Sequence, residues 1–426
     1  MWAALRSLEG PNVTGSVDAD QTGRDEFQTK TRLPTRPSIP DTIDDLQLDA
    51  MTVATPHAFH FKPAKAAFEE GIHTFVEKRT AKVNNLCTEH DFMKAAITGF
   101  GGVGQMYANV FKRMDQVHLT SVCDLNESKL ENSHGATPYT DHFEMVDKED
   151  FDISIIGTPP SARSDLLRAS LESGAAVCLE KPTAVDLSSF DELHDIAMEH
   201  SAPVSAVQNL LYTPVVNVAI QSADDGIIGD VVSVEVIWRE HIDPDGDDMD
   251  QGAWVQDLPV GGISESLPHF VYLALGFVDG LENFTVQWQV LDSQHDMPDG
   301  LAILGTDSSG RLVKVHWSGQ CPSRKRQIQV YGSEGEMTVD LDTQSVTVER
   351  EGGSDSIRPI KHSNIPNPIR NRWSRGHYQM IMDYVDSTVN GNPTPPVPLS
   401  QDRDVIRVFE TAGRRWSDRE WHKQTR

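Results

Sequence analysis

From Lys94 to Gln208, short apolar runs alternate with longer amphipathic stretches. Runs such as Ala95-Ala96-Ile97 and Ala176-Val177-Cys178-Leu179 are continuous rather than alternating, which suits strands buried on both faces. Strand following helix in this way predicts a parallel sheet covered by helices. After Pro214 the texture changes. A helix over Val215–Asp224 ends near Gly226, and then Val313, Val315 and Trp317 recur at every second position, as on a sheet with one buried face. Strands are predicted at 231–239, 283–291, 301–304, 312–318, 327–331, 336–341 and 345–348. Two late helices, 376–390 and 400–416, flank a proline-rich link at 393–398. The expected fold class is α/β: a doubly wound parallel sheet, then a C-terminal α/β domain with a large open, mostly antiparallel sheet.

The first strand of the parallel region runs into Gly99-Phe100-Gly101-Gly102-Val103-Gly104. In a dinucleotide-binding turn the first glycine permits the tight bend, the second lets backbone approach a pyrophosphate, and the third lets the next helix pack on the strand. A helix is expected at 105–113, and a second strand, His118–Cys123, delivers Asp124 twenty residues after Gly104. An aspartate there can accept both hydrogen bonds of an adenosine ribose, and its charge opposes a 2′-phosphate. NAD is therefore expected, with NADP possible. The plain alternative is a solvated aspartate at a strand end.

A gapless internal repeat aligns Asp49–Ala81 on Asp152–Ala184 at an offset of 103 residues, matching Thr55-Pro56 with Thr158-Pro159 and Glu77-Lys78 with Glu180-Lys181. Both copies read strand, helix, strand, but the first has no glycine-rich turn before it. The chain thus divides into 1–45, rich in Pro, Thr and Asp and expected to be disordered, a partial Rossmann-like remnant at 46–93, the Rossmann domain at 94–212, and the C-terminal domain at 213–426. An alternative role for the remnant is to extend a sheet edge or touch a partner subunit.

Sixty-four acidic against thirty-seven basic side chains give a formal charge of −27, which argues against nucleic acid or an anionic membrane as partner. Such self-repulsion is tolerable where salt screens it, with a Debye length of about 3 Å at molar salt. A salt-rich, halophilic cytoplasm is the expectation. Asp243-Pro244-Asp245-Gly246-Asp247-Asp248 lacks the register of a calcium loop. The four cysteines have no metal-ligand spacing, the start carries no secretory leader and no run approaches a membrane span, so a cytoplasmic protein is expected.

Two further elements carry chemistry. Glu180-Lys181-Pro182 follows a strand, placing Lys181 at the edge where open α/β sheets bind ligands. Burial there would lower its pKa toward a range useful for proton transfer. Glu265 and His269 are four apart and share a face if a helix begins near Ser264. An imidazole can exchange a proton with an alcohol and a carboxylate can orient it. A metal reading of the pair lacks a third ligand. Trp254 could stack on a sugar ring or simply pack in the core.

These parts, with Asn209, Tyr212 and Pro214, Gly226-Ile227-Ile228-Gly229, Gly261-Gly262 and Gly332-Ser333-Glu334-Gly335, resemble the Gfo/Idh/MocA oxidoreductase family over Lys94–Trp416. The resemblance implies an N-terminal Rossmann domain, a C-terminal domain whose open sheet often forms oligomer contacts, and nicotinamide-dependent chemistry on sugars, sugar derivatives or cyclitols. It implies catalytic roles for Lys181 and His269, with Glu265 where many members carry aspartate. The cofactor is expected at Gly99, Phe100, Gly101, Gly102, Val103, Gly104, Asp124, Thr158, Pro159, Glu180, Lys181 and Asn209, and the substrate at Trp254 and Tyr212. Leu211 stands where arginine is common and Arg163 where histidine is common, and Pro268 is unusual before the histidine. A homo-oligomer, dimer or tetramer, is expected. Two other readings fit the same pattern: a glycosidase that uses and regenerates NAD in one cycle, and a nucleotide-bound sensor without turnover.

Overall fold

The computed structural model describes residues 16–17, 28–29, 32–33, 35–36, 50–53, 73–76, 92–200, 203–242, 258–291, 298–357, 372–389 and 397–418. The chain divides into two units, 1–87 and 88–426.

In the first unit β1 (Ser16–Val17) pairs in parallel with β2 (Thr35–Arg36), and β3 (Ala50–Val53) with β4 (His73–Val76). The stretch expected to be disordered thus contains the β1–β2 pair; most of 1–45 lies outside the described residues. The helix expected between β3 and β4 also lies outside them.

The second unit opens with a six-stranded parallel sheet. Its strands are β5 (Met93–Thr98), β6 (Val117–Cys123), β7 (Thr137–Tyr139), β8 (Ile153–Ile156), β9 (Ala176–Leu179) and β10 (Val204–Ala206), in the order β10-β9-β8-β5-β6-β7. Helices α1 (Gly102–Phe111), α2 (His142–Lys148), α3 (Arg163–Glu172) and α4 (Leu187–Glu199) connect them. β8 and β9 are buried at every position, which accounts for their unbroken apolar sequences. The order reverses between β5 and β8, and the crevice beyond the carboxyl ends there is where such sheets bind ligands. β3 and β4 repeat the pairing of β8 and β9: Ala50 faces His73 as Ile153 faces Ala176, and Val53 faces Val76 as Ile156 faces Leu179, the same register at an offset of 103.

After α5 (Pro214–Asp224) come β11 (Val231–His241), α6 (Ile263–Leu275), β12 (Asn283–Gln289), β13 (Gly300–Thr306), β14 (Leu312–Ser318), β15 (Gln320–Gly332), β16 (Gly335–Asp340), β17 (Ser345–Arg350) and β18 (Gly353–Ile357). They form an eight-stranded sheet ordered β12-β13-β14-β11-β15-β16-β17-β18, antiparallel except where β11 meets β14. Alternate positions, including Val234, Val236, Val313, Val315, Ile328 and Val330, bury one face against α5, α6 and α8 (Arg403–Ser417). Helix α7 (Arg372–Val389) instead packs Met380, Ile381, Tyr384 and Val385 on the parallel-sheet side. Just before α8, the Ala206 amide donates to the Val397 carbonyl at 3.0 Å, so the C-terminal segment covers the β10 edge. No described helix is long and apolar enough to cross a membrane.

Candidate functional site

The glycine turn forms as its spacing requires. Gly99 has φ +91°, and a Cβ there would sit 2.7 Å from the Gly157 carbonyl carbon, so the turn crosses directly over the end of β8. A Cβ on Gly104 would come 2.3 Å from the Gly99 carbonyl oxygen, which only a glycine avoids as α1 packs on the turn. Gly101 and Gly102 face open space, with Lys129 Nζ the one neighbour, 3.7 Å from a Gly101 Cβ. Helix α1 starts there without a side-chain cap or an acidic residue in its first turn. Its amides and positive end are suited to an anion. Asp124 is held by the Phe100 amide at 2.8 Å and the Asn126 amide at 2.9 Å, and Lys129 Nζ approaches it to 3.4 Å. That cation weakens the repulsion of a 2′-phosphate expected from Asp124 alone.

Across the crevice, Thr158 and Pro159 follow β8. Thr158 Oγ1 and Asn209 Nδ2 are buried without a hydrogen-bond partner among the described residues. Buried polar groups are normally satisfied, so two such orphans mark a place built for a ligand with polar atoms. With the glycine cradle they fit a dinucleotide.

Arg163 is 1% exposed. Its guanidinium donates to the carbonyls of Thr158 at 2.6 Å, Thr183 at 3.1 Å, Glu180 and Pro182, tying the end of β8 to the loop after β9. Burial pulls its pKa down to about 10, against the charges of Glu180 and Asp402. Below that loop the buried Asp402 accepts from Thr183 Oγ1 and, at 3.0 Å, from Gln208 Nε2.

Lys181 precedes a cis proline, Pro182. Lys181 Nζ donates to the Glu265 carboxylate and, at 3.1 Å, to the Glu265 carbonyl. Burial lowers its pKa to about 8, with Glu180 opposing the fall and Arg163 adding to it. Glu180 is buried: Tyr107 OH donates to Oε1 at 2.6 Å and the Lys181 amide to Oε2 at 2.9 Å, while His377 Nε2 stands 3.6 Å from Oε1. Burial alone would raise its pKa, but His377, Lys181 and Tyr107 hold it down at about 2.

Helix α6 supplies the other half. It starts at Ile263, so Glu265 and His269 lie on adjacent turns as expected, but Glu265 reaches Lys181 while His269 Nδ1 meets Tyr272 OH. Tyr272 OH also accepts from the Leu210 amide and donates to Asn209 Oδ1, both at 3.2 Å. With the phenolic proton committed to Asn209, the network assigns the imidazole proton to Nδ1 and leaves Nε2 as the basic nitrogen. Burial, then the charges of Lys181 and His377, keep His269 well below the usual histidine range. Pro268, unusual before the histidine, lies inside the helix. It has no N–H for the Ser264 carbonyl and crowds that turn, directly beside the Glu265 carbonyl that Lys181 uses.

The structure thus joins Lys181, Glu265 and Glu180 in one bonded group and His269, Tyr272 and Asn209 in another, near enough for the charge of Lys181 to act on His269, beside the crevice that Thr158, Pro159 and Gly99–Gly104 line. Tyr212 instead packs, partly buried, against two of the hydrophobic clusters of the parallel-sheet side. Trp254 lies outside the described residues. Sequence reasoning missed Tyr107, Arg163 as a buried tie, Tyr272, His377 and Asp402. Tyr272, one turn after His269 in an apolar helix, could have been found by its spacing; His377 gives no local signal.

A family model described as an oxidoreductase family with an NAD-binding Rossmann fold matches residues 2–83 and 93–208, and a Gfo/Idh/MocA C-terminal domain model matches 217–338. The chain is 22% identical to an inositol 2-dehydrogenase of Rhizobium meliloti, over 71% of this chain and 91% of that protein. It is 21% identical to an alpha-N-acetylgalactosaminidase of Bacteroides fragilis over 34% of this chain and 36% of that protein, so it spans about a third of the glycosidase. Its fold is similar to that of an oxidoreductase from Agrobacterium radiobacter, solved in complex with NAD+, L-tartaric acid and magnesium. There the TM-score is 0.67 at 16% identity, covering 76% of this chain and 96% of that one. Glycine cradle, strand order, antiparallel second sheet and matched models agree, and the chain belongs to the Gfo/Idh/MocA family of NAD-binding oxidoreductases.

Proposed function

We propose that this protein oxidises a secondary hydroxyl of a sugar, sugar derivative or cyclitol, giving the carbonyl compound, NADH and a proton. The observation that carries the reading is the buried pair of Lys181 and His269, one held neutral and the other a poised cation, beside a cradle suited to a dinucleotide. NAD, when bound, supplies the hydride acceptor at C4 of its nicotinamide ring. Lys181 donates to the substrate oxygen and stabilises charge growing there. His269 Nε2 takes the hydroxyl proton. Tyr272 and Asn209 hold the ring in the tautomer whose basic nitrogen is Nε2. Glu265 restrains Lys181 until substrate competes for it. The test is Lys181→Met: turnover should vanish while NADH binding, followed by nicotinamide fluorescence, persists. Unchanged turnover would sink the assignment.

The NAD-using glycosidase reading has the B. fragilis relative in its favour, but over 36% of that protein against 91% of the inositol dehydrogenase. Release of an aglycone without net NADH would favour it.

The N-terminal unit is read as a partial second copy of the Rossmann domain. The register shared by β3–β4 and β8–β9, and a family model matching both 2–83 and 93–208, support this. No glycine turn precedes its strands, so it should bind no dinucleotide. Titration of the full chain with NADH should give one site; two would overturn the reading. The charge of −27 supports operation in a salt-rich cytoplasm.

A further inference from the structure

We propose that His377 is a positioning residue for Lys181: from helix α7 it holds the buried Glu180 carboxylate in the place where that carboxylate grips the Lys181 backbone. This rests on the reading of Lys181 as the residue that meets substrate.

A carboxylate 3% exposed is expensive to keep unless donors surround it. Glu180 accepts from Tyr107 OH at 2.6 Å, from α1, and from the adjacent Lys181 amide at 2.9 Å, and α7 brings the His377 ring to it, with Nε2 at 3.6 Å, within ion-pair reach. His377 is itself 9% exposed. It stands edge-on to Tyr107, ring centroids 5.4 Å apart and planes at 86°, so the ring that donates to Glu180 and the ring that approaches the same carboxylate oxygen fix each other's orientation. The preceding residue explains how the helix comes so near. A Cβ on Gly376 would lie 2.0 Å from the Asn209 carbonyl oxygen, so only glycine lets α7 reach this depth. Two adjacent residues of one helix therefore bear on both halves of the site: Gly376 on Asn209, which carries the Tyr272–His269 chain, and His377 on Glu180, which carries Lys181.

A histidine that merely filled space could be replaced by an apolar residue of similar volume with no effect on the amine of Lys181. One that positions Glu180 through Nε2 could not, and the reach of its replacement would matter. A glutamine amide nitrogen extends about as far as Nε2, whereas an asparagine amide falls short.

The experiment compares full-length His377→Gln, His377→Asn and His377→Leu with the parent chain. It measures kcat, KM for NAD, and the rate at which acetic anhydride labels Lys181 at fixed pH, read by mass spectrometry. In the Gln variant kcat should stay within about threefold and labelling should not change; in the Asn and Leu variants kcat should fall about tenfold or more at constant KM for NAD, because a small displacement of a reacting group is enough for that. Lys181, only 9% exposed in its side chain, should label about threefold faster or more in those two as its anchor loosens. Equal kcat and equal labelling across the three variants would reduce His377 to a core filler and overturn the proposal. If the Leu variant does not fold, the Gln and Asn pair decides. If the parent chain turns over no substrate, the oxidoreductase reading fails by itself, and the labelling rates still decide the position of Lys181.

Discussion

Burial lowers the pKa of both Lys181 and His269, but from ordinary values of 10.5 and 6.5, so the two end on opposite sides of neutrality. His269, well below the usual histidine range, is already a neutral acceptor at pH 7, while Lys181 loses its charge near pH 8. The kcat/KM for oxidation should therefore show no acid limb at pH 6–7 and a falling alkaline limb near pH 8; a kcat/KM profile with an acid limb at the ordinary histidine value of about 6.5 would contradict the site as drawn. Glu180 makes a second, separable statement. Its folded-state pKa is depressed to about 2 from 4.5, so its contribution is fully present above pH 4.5 and is lost as pH falls toward 2. A depression of that size corresponds to about 3 kcal/mol. Denaturant midpoints of the parent chain and Glu180→Gln should converge as pH drops through this window, and parallel curves would remove Glu180 from the account.

At the scale of elements, the glycine turn and the Arg163 tie are the parts whose loss should be felt most. Gly99→Ala places a Cβ 2.7 Å from the Gly157 carbonyl carbon at a φ of +91°, so NADH binding should be lost or weakened at least about a hundredfold. Arg163→Met leaves four buried carbonyls without their donor, and unfolding should be easier by about 3 kcal/mol or more, measured by denaturant titration. These elements differ in how legible they were. The turn, Asp124 and Lys181 stand at positions where a strand ends, and a strand end is marked in sequence by where an apolar run stops. The strands of the second sheet were readable because one face is apolar at every second residue; β18, Gly-Ser-Asp-Ser-Ile, has a single large apolar residue and gave no such signal. Arg163 read as a departure from the family pattern, since nothing local says that an arginine will turn inward to four carbonyls. His377 was invisible for a related reason: its partner, Glu180, is nearly two hundred residues away and only the packing of α7 joins them.

For the molecule as a whole, the fold brings the two halves of the site together from separate sheets. The parallel sheet supplies the cradle and Lys181, while α6, packed on the antiparallel sheet, supplies Glu265 and His269. Neither half would carry out the reaction alone, which gives importance to the segment at 397–402, bonded to the parallel-sheet side through Ala206 and Gln208 and continuing into α8 on the antiparallel sheet. The charge of −27 acts at this scale as well: lowering salt should lower the melting temperature, by restoring repulsion that salt screens. An unchanged melting temperature from molar to millimolar salt would contradict that. The central claim is hydride transfer at Lys181 and His269, and it is tested most directly by absorbance at 340 nm. The full chain would be supplied with NAD and a panel of inositols, sugars and sugar acids, with Lys181→Met alongside. NADH should accumulate with at least one substrate in the parent chain and with none in the variant. NAD binding without NADH from any substrate, or equal NADH from both proteins, would contradict the account.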